Sequence, residues 1–468
     1  MPTPTALLIK NATLVTARAR VLGDVACADG RIQAIGPNLA PAPDATVIDA
    51  RDKFVLPGGV DAHTHMELPV GDFASVDDFE TGTAAAAAGG TTTIIDFISP
   101  NRGESLLATR DLWRRKAEKA CIDYGLHMAV TWYSGDVARQ MREVCLNDGV
   151  TSFKVYLAYL ESIGVGDADV ARIMRVAAEL GALVTVHAEN GIAVRELQMR
   201  LVAEGKTAPK YHAESRPPWV EGEAVHRAIT LARVFALPLY VVHVSSRDGL
   251  AEIERARQAS LPVLAETCPQ YLLLDERAYE RRGFEGAAFV MSPPLRAHEH
   301  QEALWRGLTE GLIQTVATDH CPFRMADQKV RGRHDFTLIP NGAGGVEDRL
   351  RLLYTYGVKG GRLTLEQLVD CFATRPAKIF GLYPEKGELA VGSDADLVIY
   401  DPDGEFIVSH KTQWQRADHN IYEGLVVRGR VDCTIACGRV VFANGRLQTR
   451  SGAGRYLPRR LPDVGARV

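Results

Sequence analysis

Apolar residues in the middle of this chain fall into short runs, separated by longer stretches in which apolar positions recur three and four apart. The short runs lie at 91–97, 125–131, 151–155, 182–187, 238–243, 262–267 and 314–319, and one more ends at His63, which makes eight predicted strands. The stretches between them, such as 167–181 and 223–235, carry the helical period. Eight strand-then-helix repeats predict an α/β fold of the (β/α)8 barrel type, whose chemistry sits at the carboxyl ends of the strands. A doubly wound open sheet is the alternative, and the absence of Gly-x-Gly-x-x-Gly after the first strand argues against it.

The two ends of the chain read differently. Residues 7–15 suggest a strand broken by a turn at Asn11-Ala12, and 25–32 suggest a hairpin closed at Asp29-Gly30. Residues 395–401 and 431–445 have the same strand-and-turn style. A module of some fifty residues buries little by itself, so the ends are expected to pair into one small discontinuous β-sandwich. The expected units are 1–56 (sandwich, first part), 57–387 (barrel), 388–450 (sandwich, second part) and 451–468, a polar tail rich in Gly and Arg. That tail is expected to pack on a neighbouring subunit or to fray.

Composition narrows the class. With 46% hydrophobic and 24% charged residues the chain reads as globular, and a net charge of -4 without a long basic run argues against nucleic acid or an anionic membrane as partner. Met1–Lys10 lacks the pattern of a signal peptide, and no stretch of about 20 apolar residues occurs. A cytoplasmic protein is expected. The eight cysteines are scattered without Cys-x-x-Cys spacing and read as reduced, buried thiols, Cys433 and Cys437 included.

The candidate chemistry begins at Asp61-Ala62-His63-Thr64-His65. Histidines at i and i+2 of an extended segment point to the same side, as two ligands of one metal require. A second such pair, His298 and His300, lies in a polar run and reads as the exposed start of a helix. Four further metal-competent residues close predicted strands: Lys154 the fourth, His187 the fifth, His243 the sixth and Asp319 the eighth. Alone, a histidine ending an apolar strand is more often a hydrogen-bonded core residue, and an aspartate there is often a helix cap. Four histidines and an aspartate converging on one barrel mouth point to a metal site. Lys154 stands among these residues, where its ammonium would be repelled by bound cations. Its neutral amine can add carbon dioxide, and the resulting carbamate has two oxygens with which to bridge two divalent ions. Two Zn²⁺ set against the carbamate, Asp319 and a hydroxide leave residual positive charge for a developing oxyanion.

Together with these residues, the stretches 57–69, 89–97, 152–156, 186–190, 266–272, 292–296, 318–323 and 340–342 resemble the amidohydrolase superfamily, and within it the cyclic amidohydrolase group of dihydropyrimidinases and D-hydantoinases. The resemblance runs over nearly the whole chain. It implies a TIM-like barrel with two zinc ions per subunit, His63, His65 and Asp319 on the first and His187 and His243 on the second, bridged by carboxylated Lys154. Asp319 would shuttle the proton and Tyr159 would support the oxyanion, while Ser292 and Asn341 would contact the imide. Tyr159, Tyr156, Ile163 and Val70 would line the substrate pocket. The implied reaction is hydrolysis of the cyclic amide bond of dihydropyrimidines or 5-substituted hydantoins by a zinc-activated hydroxide, giving N-carbamoyl amino acids. The implied assembly is a homotetramer, with a dimer as the alternative.

Among relatives, dihydroorotase-like enzymes carry an arginine two residues after the second histidine, where this chain has Glu67. An acidic side chain there would favour a neutral ring, provided that it faces the site. Allantoinase is the nearer alternative, and the wording of 266–271 and 292–296 fits the dihydropyrimidinase group better. A non-catalytic scaffold relative would have lost metal ligands, whereas all six positions are intact here.

Overall fold

The computed structural model describes residues 6–462. Eight parallel strands form its centre: β1 (Gly59–Thr64), β2 (Thr91–Ile98), β3 (Asp123–Ala129), β4 (Ser152–Tyr156), β5 (Leu183–His187), β6 (Leu239–Val241), β7 (Val263–Thr267) and β8 (Thr315–Val316). They pair in chain order from β1 to β8. The seam between β8 and β1 is bridged by a side chain: the buried Arg349 guanidinium donates to Val60 O and Val316 O, both at 2.9 Å. A short parallel bridge between Thr64 and His320 continues the closure at the carboxyl end. This is a TIM-type barrel.

The strands are buried on both faces, as the Val, Ile and Thr of β2 and β5 and the Tyr, Leu and Met of β3 require when helices cover the outside. The helix Asp167–Leu180 shows how. Val170, Ile173, Met174, Val176 and Ala177 form its buried stripe, and Gly181 ends it in the left-handed region at φ 67°.

The chain ends join in one sheet. The strand Phe54–Pro57 lies between Leu7–Val15 on one side and Leu397–Ile407 on the other. Arg20–Ala28 and Arg31–Gly36 form the expected hairpin, with Asp29 at φ 52° and Gly30 at φ 76°. Nine strands in all share this sheet, which closes over its own core of Leu7, Ile9, Val25, Val55, Leu397, Ile399 and Ile435. The expected break at Asn11-Ala12 is instead a bulge. The strand Leu7–Val15 continues through it because Asn11 absorbs a φ of 61°.

The tail also departs from expectation. Up to Pro462 it runs along the amino ends of the barrel strands of its own chain, with Arg455 O and Leu457 N bonded to Tyr124 and Arg459 N to Gly149 O. Arg459 is buried under the barrel, donating to Leu126 O and Ser152 Oγ. Residues 463–468 lie outside the described part. All eight cysteines are free and buried. No helix among the described residues is long and apolar enough to cross a membrane.

Candidate active site

The metal-competent residues meet at the carboxyl end of the barrel. His63 lies in β1, and Thr64 Oγ1 and Met66 N on either side of His65 are both fixed to the buried carboxylate of Asp96 on β2. Both imidazoles therefore face inward, with their Nε2 atoms 3.3 Å apart. Asp319 lies three residues beyond β8, and its Oδ1 is 3.1 Å from His63 Nε2 and 3.2 Å from His65 Nε2. Asp61 sets that approach: its carboxylate accepts from Thr318 N, Thr318 Oγ1 and His63 N.

Across the mouth, His187 ends β5 and His243 follows β6, with His187 Nδ1 and His243 Nε2 2.9 Å apart. Lys154 is central in β4, fully buried, with its Nζ 4.8 Å from the Phe97 ring centre and 5.2 Å from that of Tyr156. The same Phe97 ring stacks on His65 at 5.1 Å, so the lysine and the first histidine pair share one aromatic wall.

The hydrogen bonds fix which nitrogens are free. His63 Nδ1 is 2.6 Å from Glu266 Oε1 and His187 Nε2 is 2.9 Å from Glu189 Oε2. In the neutral imidazole that a metal ion would bind, the bonded nitrogen carries the proton, which leaves a lone pair on the nitrogen facing the cluster. His63 Nε2, His65 Nε2 and Asp319 Oδ1 lie within 3.3 Å of one another, an arrangement that a cation at its centre would satisfy. Ligand atoms about 2.0–2.1 Å from a tetrahedral zinc are themselves ~3.3 Å apart, so the set fits such an ion.

A proton on His63 supplies positive charge at this point of the cluster. Burial opposes the His63 imidazolium, but Asp319 and Glu266 outweigh it and raise His63 to about 9. Burial lowers His65 to about 4. Burial also lowers Lys154 to about 8, against the pull of Asp319 and Glu266, which brings the neutral amine within reach near neutrality. Asp319 is held well below the usual carboxylate range by His63 and His65 despite its burial.

Tyr159 stands at the rim at φ 58°, its ring 5.4 Å from that of His187. Burial raises its hydroxyl above the ordinary value, and Arg216, Ser292 and Asn341 oppose that rise, which places these side chains around the phenol. Ser292 Oγ is buried without a partner among the described residues. Tyr156 is buried beside Asp319, which adds to the upward push of burial on its hydroxyl. Val70 and Ile163 are half-buried on rim loops and take no part in the hydrogen bonds and ring contacts of the cluster. The Val70 hairpin is tied to the loop after β8 by Phe73 against Phe323 and by Asp72 with Arg331.

Two expectations change. Glu67 points away from the centre, 3.4 Å from Lys119 Nζ and 4.0 Å from Lys116 Nζ, so it exerts no selection on the charge of the ring. His300 begins a helix as expected, but it is buried and its Nδ1 accepts from Arg247 N at 2.9 Å. A backbone partner explains that histidine without a metal.

Sequence reasoning passed over Glu266, Glu189 and Arg216. Glu266 ends β7 with no exposed surface, and Glu189 follows His187 by two residues and meets the buried Arg216 at 2.5 Å. An acidic residue closing an apolar strand was the available signal for the first.

Comparison with known proteins gives a consistent picture. The model of the amidohydrolase family matches residues 54–441. A D-hydantoinase of Geobacillus stearothermophilus is 47% identical over 453 residues, 97% of this chain and 96% of that protein. A D-hydantoinase of Streptomyces coelicolor is 46% identical over 457 residues, 97% of each. The crystal structure of a dihydropyrimidinase from Brevibacillus agri superposes with a TM-score of 0.96 at 45% identity, covering 98% of this chain and 99% of that one.

Proposed function

The chain belongs to the amidohydrolase family as an enzyme of the cyclic amidohydrolase type, and from that premise we propose that it opens dihydropyrimidine or 5-substituted hydantoin rings to N-carbamoyl amino acids. The observation that carries the reading is the convergence of His63 Nε2, His65 Nε2 and Asp319 Oδ1 opposite the His187–His243 pair, with Lys154 beside both. The names of the similar D-hydantoinases and dihydropyrimidinase support the choice of substrate class.

Two zinc ions, one on His63, His65 and Asp319 and one on His187 and His243, with Lys154 as its carbamate between them, would supply Lewis acidity that activates water and polarises the ring carbonyl. The chain's own residues do the rest. The neutral Lys154 amine takes up carbon dioxide and releases one proton, turning an uncharged amine into an anionic ligand. Asp319 accepts the proton of the attacking water and returns it to the leaving ring nitrogen. The Tyr159 hydroxyl donates to the oxyanion, and the peptide groups at Ser292 and Asn341 hold the imide. Val70, Tyr156 and Ile163 bound the space for the ring substituent. The family resemblance also carries a cytoplasmic homotetramer, or a dimer, which light scattering of the purified protein measures.

The test is elemental analysis of freshly purified protein with hydrolysis assays on dihydrouracil, hydantoin, allantoin and dihydroorotate. Two metals per chain with turnover of the first two rings is expected. Fewer than one metal per chain, with no activity after zinc and bicarbonate are added, would overturn the reading.

A further inference from the structure

Lys329 is a charged-type group deep in the molecule that the reaction leaves unused. It has no exposed surface, and its Nζ meets no carboxylate among the described residues; it donates instead to Val290 O at 2.9 Å and Pro340 O at 3.2 Å. An amine buried in this way is costly, and a methionine would fill similar space without the penalty. The two carbonyls belong to two different loops, which also join directly through Gly342 N and Val290 O at 3.0 Å. These loops carry Ser292 and Asn341.

A peptide unit is planar, with its C=O and N–H pointing in opposite directions. The Pro340 carbonyl and the Asn341 N–H are two ends of one such plane, so a side chain that grips the carbonyl aims the N–H. The same holds one loop away: buried His212 Nε2 donates to Met291 O at 2.8 Å, and that carbonyl shares its plane with the Ser292 N–H. Neither the Ser292 N–H nor the Asn341 N–H has a partner among the described residues. Two donors of the kind that folding normally satisfies are thus held open beside Tyr159, where a carbonyl oxygen of a cyclic imide would satisfy them.

We propose that Lys329 is a positioning residue that, with His212 as its counterpart, aims the free N–H groups of Asn341 and Ser292 at the carbonyl oxygens of the substrate; this rests on the reading of those two residues as imide contacts. It touches neither the substrate nor the metal ligands, so its effect belongs in substrate affinity and not in the chemical step.

The test uses the metal-loaded protein with Lys329→Met, which removes both donors, and Lys329→Gln, which keeps one and serves where the first does not fold. Kinetics on dihydrouracil and hydrogen exchange of 288–294 and 338–343 are measured together. Expected are faster exchange in both segments and a KM raised about tenfold, the size of one lost hydrogen bond, with kcat within about threefold and metal content unchanged. Unchanged exchange would overturn the clamp. Faster exchange with an unchanged KM, or a fall confined to kcat, would overturn its role in substrate binding. Should the wild-type enzyme open no cyclic imide, the proposed function fails, while the exchange measurement still decides whether Lys329 holds the two loops.

Discussion

Replacing Glu266 by glutamine isolates the contribution of the carboxylate behind His63, a ligand of the first ion in the proposed site. Glu266 Oε1 accepts from His63 Nδ1 at 2.6 Å and from His243 N at 3.3 Å, and Oε2 accepts from the Tyr240 hydroxyl at 2.8 Å. Glutamine has the same shape, and its NH₂ can face Tyr240 because that hydroxyl already has a second partner, Thr315 Oγ1 at 2.6 Å. Packing is preserved and the charge is lost. A hydrogen bond to a charged group contributes ~1.5–3 kcal/mol and a neutral one ~0.5–1.5, so the swap weakens the support of His63 by about 1–2 kcal/mol. That corresponds to roughly 5- to 30-fold in affinity, on the scale of other losses behind a metal ligand. The assay is dialysis against a graded chelator series with metal counting at each step. Glu266→Gln is expected to release its first ion at about tenfold lower chelator and to recover most of its kcat in excess zinc, since every reacting group is intact. A folded variant that releases both ions at the wild-type concentrations would refute the argument that Glu266 sets the basicity of His63.

Lys154→Ala removes the proposed shared ligand, and fewer than two metals per chain with a fall in kcat/KM of about 100-fold or more is expected; a variant that keeps both metals and full activity would exclude the bridging role. Val70→Phe narrows the rim next to the substituent and is expected to lower kcat/KM for an aryl hydantoin more than for dihydrouracil, whereas equal losses would count against Val70 as a pocket wall. Burial lowers Lys329 to about 7, against about 10.4 in an unfolded chain, so between these values the unfolded state holds the proton and the folded state does not. Stability from this site therefore rises with pH across that window, by up to about 1.4 kcal/mol per unit. The Tm of the wild type relative to Lys329→Met should climb from pH 7 to pH 9, with Cys321, His212 and His419 as the titratable groups around the amine. A flat difference would mean that the amine stays charged.

The barrel was legible because its signal is local. Each strand is a run of apolar residues that the chain needs whatever it packs against, and the runs at 182–187 and 262–267 coincide with β5 and β7 to within a residue. His63 and His65 were legible for the same reason, since their common direction follows from strand geometry alone. What escaped depends on partners distant in sequence. Glu266 is 203 residues from the histidine it holds, and Arg349 is 289 residues from the Val60 carbonyl it caps. Glu67 failed in the opposite way. Its place in the sequence suggested a side chain facing the substrate, but a φ of 50° and two nearby lysines turn it outward.

Backbone conformation carries a further layer. His243, Asp319 and Tyr159 take φ values of 39°, 52° and 58°, in the left-handed region that non-glycine residues avoid at a cost of roughly 1–2 kcal/mol each. Such a bend turns a side chain off the strand direction and into the barrel mouth, where a continued strand would carry it past. At two of the three positions buried carboxylates hold the chain: Asp61 grips Thr318 before Asp319, and Glu266 accepts the N–H of His243 itself. Strain at His243 and Asp319 and the carboxylates that sustain it are therefore one device. Removing Asp61 should displace Asp319 although Asp61 is no ligand, just as removing Lys329 should misdirect Asn341 although Lys329 never meets the substrate. In both cases the reacting group is aimed by a residue that grips the chain one peptide away.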